Sequence, residues 1–210
     1  MNLAFFASHG GSNMQAILDA CKTGLLPAQP CVVISNNSDS EALRRAIREE
    51  IPHYHLSNKT HPDPEQLDGE IVRALQRHQT EWIVLAGYMR PIGKKTLSQY
   101  KGRIINIHPA LLPKYGGKGM YGLHVHAAVL AAGESETGVT IHLVDEEYDR
   151  GAIIAQCRVA VKTDDTVETL AQRVLACEHS FLVETLGKLI TGELRIQNGI
   201  TGYSHSAAAS

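Results

Sequence analysis

Asn106 and His108 stand two residues apart at the end of an apolar run, Arg103-Ile104-Ile105-Asn106-Ile107-His108-Pro109-Ala110-Leu111-Leu112-Pro113. An amide that can donate and an imidazole that can move a proton are the groups needed where negative charge grows on a carbonyl oxygen. In an extended strand residues i and i+2 share a face, so the two side chains would project together while Ile105 and Ile107 pack on the other side. Pro109 cannot extend a ladder, which places the pair at the carboxyl end of the strand, the edge where open α/β sheets bind ligands. Taken alone, the pair fits equally well a buried Asn and His satisfied by their neighbours. A carboxylate close to His108 would raise its pKa toward the protonated state, in which it donates best. The acidic run Asp145-Glu146-Glu147-Tyr148-Asp149 offers several candidates, and residue types alone do not choose among them.

A second candidate lies near the amino end, where Ser8-His9-Gly10-Gly11-Ser12-Asn13 separates an apolar segment from a helical one. A glycine-rich turn entering a helix presents backbone N–H groups and the positive end of the helix dipole, which suits a small phosphate. Gly11, Ser12 and Asn13 are the residues for it. An ordinary turn with Ser12 or Asn13 as N-cap explains the same residues. The glycines are adjacent, not in G-x-G-x-x-G order, and Ser35-Asn36-Asn37 stands where a dinucleotide site has an acid, so a nicotinamide cofactor is disfavoured. His124 and His126 have metal-like spacing but no third ligand at recognisable distance, and no metal is expected. His142 reads as structural.

These groups need a scaffold. Leu3 to Ala7, Cys31 to Ser35, His53 to Leu56, Trp82 to Ala86 and Arg103 to Ile107 read as strands. Helices at Met14 to Lys22, Ser40 to Glu50 (Leu43, Ala46 and Ile47 on its apolar side), Leu67 to His78 and Gly93 to Tyr100 alternate with them. That alternation writes a Rossmann-like, mostly parallel α/β sheet with helices on both faces. The second half differs. Lys114 to Gly122 is a glycine-rich loop, in which Tyr115 to Gly122 reads either as a lid or as a plain surface insertion, and a short helix follows near His126 to Ala132. Thr137 to Val144 and Ala152 to Val161 form an antiparallel hairpin with the acidic run at its tip. A long helix starts after Thr166 and closes at Gly192. A single domain over 1–198 is expected, with 199–210 a frayed tail.

Composition narrows the function. A net charge of −2 and a pI near 6.6 give no basic footprint for nucleic acid. Cys21, Cys31, Cys157 and Cys177 have no C-x-x-C spacing and read as free thiols. Leu3 to Ala7 is too short for a membrane span or a signal-peptide core, so a cytoplasmic protein acting on small molecules is expected.

Asn-Ile-His-Pro-x-Leu-Leu-Pro, followed by Tyr148-Asp149-Arg150-Gly151, resembles the signature of the folate-dependent formyltransferases, and the likeness runs from Leu3 to about Ile196. Within the family it is strongest to members that formylate the amino group of 5-phosphoribosylglycinamide in purine biosynthesis. The resemblance implies 10-formyltetrahydrofolate as co-substrate and Asn106, His108 and Asp149 as the catalytic set. It gives the ribonucleotide phosphate to Gly11, Ser12 and Asn13 and the ribose hydroxyls to Glu178. For the folate it implies Met89, Arg90, Pro91, Ile92, Asn106, Val144 and Asp145.

The chain departs from the family pattern in places. His9-Gly10 is an unfamiliar pair, Pro91 replaces the commoner Ile and removes an N–H, and Arg150 replaces Gly. Pro64 or a neighbour stands where an Arg reaches the folate, and Lys118 sits in a short insertion. Sugar-amine formyltransferases share the Asn, His and Asp set, but the phosphate loop and Glu178 argue against them. A formyl-folate hydrolase would carry a preceding domain, and a tRNA formyltransferase a following one. A nucleotide-binding module without catalysis would leave Asn106 and His108 without a purpose. A monomer or weak homodimer is expected.

Overall fold

The computed structural model describes residues 1–197 and 200–203. The strands β1 (Asn2–Phe6), β2 (Gln29–Ser35), β3 (His53–His55), β4 (Trp82–Leu85), β5 (Ile104–His108), β6 (Glu136–Leu143) and β7 (Ile153–Ala160) form one sheet in the order β3-β2-β1-β4-β5-β6-β7. The first five pair in parallel, and β6 runs antiparallel to both β5 and β7. Strand order reverses between β1 and β4, which opens a crevice beyond their carboxyl ends.

Alternation along the strands feeds two cores. Leu3, Phe5, Val84, Ile105 and Ile107 face the helices α1 (Ser12–Lys22), α2 (Glu41–Arg48), α5 (Leu123–Ala131) and α6 (Val167–Thr191). Ala4, Phe6, Ile83 and Ile104 face the other way, where α3 (Pro64–Arg77) contributes Ile71 and Leu75 and α4 (Lys94–Gln99) packs beside α3. Caps set the helix starts: Ser40 accepts from the Leu43 N–H, Asp63 from the Glu65 N–H, and Thr166 and Thr169 form a reciprocal capping box. α4 borrows its cap from α3, since the buried Asp68 carboxylate accepts from the Lys95 and Thr96 N–H groups.

Two expectations change. Ile47 does not join the apolar face of α2; it is 58% exposed, because Ala42, Leu43 and Ala46 fill the stripe against the sheet and one further residue turns about 100° away. The tail is not frayed throughout: β9 (Ile200–Tyr203) pairs antiparallel with β8 (Leu194–Gln197), as its β-branched and aromatic residues favour. The remainder of the expected tail, 199 and 204–210, lies outside the described residues.

The hairpin depends on close backbone approach at Gly138, opposite Arg158, where a Cβ would run into the Cys157 carbonyl and the Leu111 side chain. Gly138→Ala is therefore expected to lower stability by about 1–3 kcal/mol, read as a lower thermal midpoint. An unchanged midpoint would show that β7 can shift to make room.

Candidate active site

The crevice at the strand reversal is tied together by its own loops. The Ser8 N–H donates to the Gly87 carbonyl at 3.0 Å, and the Met89 N–H donates to Ser8 Oγ at 2.7 Å. Gly11 caps α1 with φ 66°, a conformation that favours glycine, and a Cβ there would approach Ala42 Cβ to 2.9 Å. Ser12 and Asn13 thus fall in the first helical turn and neither is the N-cap. The N–H groups of that turn have no acceptor within the helix.

Asn13 points inward. Its Nδ2 donates to Glu178 Oε2 at 2.6 Å, and its Oδ1 is buried without a partner. Burial pushes the Glu178 carboxyl up to about 7, only partly opposed by the hydrogen bond from Asn13. The folded state therefore holds this proton more tightly than the unfolded chain. The stabilisation is fully present below the ordinary carboxyl pKa and is lost as pH rises through about 7. Glu178→Gln, which keeps the acceptor without the charge, is expected to raise the thermal midpoint at pH 8 relative to the native protein and to change it little at pH 4. Equal shifts at both pH values would refute the assignment of this titration to Glu178.

β5 delivers the central pair. Asn106 and His108 project from its end, opposite His142 and Thr140 in the β6 register. Asp149, with φ 55°, folds back from the β6–β7 tip while Asp145, Glu146 and Glu147 remain exposed. Its Oδ2 lies 3.6 Å from His108 Nδ1 and accepts the Gly117 N–H at 2.9 Å. Its Oδ1 lies 3.4 Å from Asn106 Nδ2 and 3.5 Å from His142 Nε2. A carboxylate cannot donate, so the amide nitrogen of Asn106 is the atom turned toward it. Its two hydrogens serve His142 Nε2 at 3.1 Å and, over a longer reach of 3.4 Å, Asp149 Oδ1.

Both imidazoles are oriented by main-chain carbonyls. His108 Nε2 is 2.7 Å from the Tyr115 carbonyl and His142 Nδ1 is 2.8 Å from that of Leu143. A carbonyl only accepts, so these nitrogens carry the hydrogens. Burial lowers the His108 pKa, and Asp149 and the Tyr115 carbonyl recover only part of the loss. The shift runs opposite to the upward one expected from a nearby carboxylate, because desolvation outweighs Asp149. Burial works the other way on Asp149, but the neighbouring His142 and His108 rings and the hydrogen bond from the Gly117 N–H more than offset it, and the net shift is downward.

His142 is the residue that sequence reasoning set aside. It is 2% exposed and reaches both Asn106 and Asp149. Its signal was available in the i, i+2 pair Thr140 and His142 of a strand neighbouring β5. His126 is buried, with Nδ1 unpartnered, and burial followed by the nearby His108 lowers its pKa. His124 instead packs edge-on against Tyr121.

Residues 1–186 match the family model described as formyl transferase. The chain belongs to the formyl transferase family. Among its relatives, the chloroplastic phosphoribosylglycinamide formyltransferase of Arabidopsis thaliana is 40% identical over 89% of this chain, which spans 64% of that relative's length. The phosphoribosylglycinamide formyltransferase of Escherichia coli is 35% identical, with 93% of this chain and 90% of that protein covered. The crystal structure of the Coxiella burnetii phosphoribosylglycinamide formyltransferase superposes with a TM-score of 0.88 at 37% identity, covering 97% of this chain and 93% of that one.

The candidate site lies at the carboxyl ends of β1 and β5, on either side of β4 and beside the reversal of strand order, the edge where open α/β sheets bind ligands. Met89, Arg90 and Pro91 are exposed along one rim, with Ile92 half-buried, and Val144 and Asp145 lie at the entrance to the hairpin tip. Tyr88 packs edge-on against Phe6 beneath that rim. The Met89 and Val144 N–H groups are already given to Ser8 Oγ and the Ile104 carbonyl.

Among the described residues no group of three His, Cys, Asp or Glu side chains is placed to hold a metal ion. No helix among them is long and apolar enough to cross a membrane.

Proposed function

We propose that this formyl transferase moves the formyl group of 10-formyltetrahydrofolate to the amino group of 5-phosphoribosylglycinamide, giving formylglycinamide ribonucleotide in de novo purine biosynthesis. The observation that carries the reading is Asp149 held between Asn106, His108 and His142 at the end of β5. The phosphate would sit on the N–H groups of Gly11, Ser12 and Asn13, with the ribose hydroxyls near Glu178. The folate would lie along Met89, Arg90, Pro91, Ile92, Val144 and Asp145. Since the Met89 and Val144 N–H groups are engaged and Pro91 has none, hydrogen bonds from this rim to a flat heterocycle would come from main-chain carbonyls and the remaining N–H groups.

As the amine attacks the formyl carbon, the Asn106 amide turns the hydrogen of its longer contact, the one to Asp149, toward the growing oxyanion. That charge raises the proton affinity of His108, and the proton released by the amine passes through Asp149 to Nδ1, 3.6 Å from the carboxylate, so that an imidazolium forms beside the reacting centre. Asp149 is placed to accept that proton from the amine, directly or through one water, and then faces the imidazolium. The protein works on small molecules in the cytoplasm without nucleic acid, as a monomer or weak homodimer, with residues 1–198 as one domain.

The test is to follow loss of formyl-folate absorbance with phosphoribosylglycinamide, with an amino-sugar nucleotide, and with water alone. Turnover only with phosphoribosylglycinamide supports the reading, and faster turnover in either other arm refutes it.

The glycine-rich loop fits the lid reading through its first half, where the Tyr115 carbonyl and the Gly117 N–H hold His108 and Asp149 while Lys118 and Tyr121 are exposed. Removing Lys118 to Tyr121 is expected to raise KM and the fraction of formyl-folate lost to water, with the thermal midpoint nearly unchanged. Unchanged kinetics would make the insertion ornamental.

A further inference from the structure

Cys157 on β7 and Cys177 on α6 bring their Sγ atoms to 2.9 Å, a contact that the proposed chemistry does not use. β7 is the last strand of the sheet and α6 packs on it, and both thiols are half-buried at the margin of that core. A disulfide needs the sulfurs at about 2.05 Å, so closure requires less than ~1 Å of approach. The other two cysteines have different surroundings, Cys31 against Thr80 Oγ1 and Cys21 on α1.

We propose that Cys157 and Cys177 form a thiol pair that a low-molecular-weight disulfide oxidises reversibly to an intramolecular disulfide. The Cys157 thiolate attacks one sulfur of the small disulfide and expels its other half as a thiolate. The Cys177 sulfur then attacks the Cys157 sulfur of the mixed disulfide, releasing the second small thiolate, which carries off the Cys177 proton. Two cysteine thiols are oxidised and one small disulfide is reduced to two thiols. Cys177 Sγ donates its hydrogen to Cys157 Sγ and burial pushes the Cys177 thiol up, so Cys157 is the sulfur that attacks first. The bond would tether the edge strand to α6 next to Glu178, the residue that holds Asn13.

The full chain, reduced and freed of reductant, is incubated with oxidised glutathione, alkylated and digested without reduction. The expected product joins the peptides containing Cys157 and Cys177, with Cys21 and Cys31 alkylated. Closing the loop is also expected to raise the thermal midpoint on the order of 5–10 °C, reversed by dithiothreitol. Cys177→Ser should stop at a stable glutathione adduct on Cys157, and Cys157→Ser should leave Cys177 largely unmodified. Four alkylated thiols in the oxidised native chain, or a link to Cys21 or Cys31, would overturn the proposal. An adduct forming first on Cys177 would overturn the order of attack.

Discussion

Asn106→Ala and His108→Ala are each expected to lower kcat more than a hundredfold, since losing one oxyanion donor typically costs about 10² to 10³ in rate. The two side chains share the end of β5 and meet at Asp149, so each removes a donor that the other cannot replace. Their secondary effects differ. Asn106 is half-buried, and its loss leaves His142 and Asp149 close to water. His108 is 3% exposed, so Ala would leave a cavity and an unpaired Tyr115 carbonyl, and the thermal midpoint of that variant should fall as well. His108→Asn, which is smaller but retains a donor, separates the two effects: it should remain slow even where the fold is retained. Near-normal turnover in both alanine variants would remove Asn106 and His108 from the chemistry.

Asp149→Asn is expected to reduce kcat by a comparable factor while leaving the KM for formyl-folate within a few-fold. The carboxylate accepts the Gly117 N–H and faces Asn106 and two imidazoles, and an amide cannot accept the amine's proton or pair with an imidazolium. Glu147→Gln is the control, an exposed acid in the same hairpin tip. If Glu147→Gln were the inactive variant and Asp149→Asn the active one, the acid would have been misassigned. The pH profile gives a second reading. Asp149 has its pKa lowered in the fold, so activity that requires its ionised form should survive mild acid and be lost only as pH falls through that lowered pKa. Asp149→Asn should abolish that limb.

Much of the architecture is local and therefore written in the chain. Strands of alternating or continuous apolar residues, helices opened by Ser40, Asp63 and Thr166, and the stop at Gly192 depend on neighbours a few positions away. Asn106 and His108 share a face because side chains alternate in any strand, and that too is visible without a fold. The choice of Asp149 among the acids around it came from resemblance, since the tip is shaped by a left-handed backbone at Asp149 and by the Gly117 N–H of a distant loop. His142 joined the site only through the antiparallel register that sets it opposite Asn106, and Cys157 met Cys177 only because α6 packs on β7. The downward shift of the His108 pKa follows from how deeply the ring is buried, which no spacing encodes. Periodicity and capping act over a few residues and survive in a one-dimensional string. Register, desolvation and the meeting of remote side chains are set by which surfaces close on one another, and those belong to the folded chain alone.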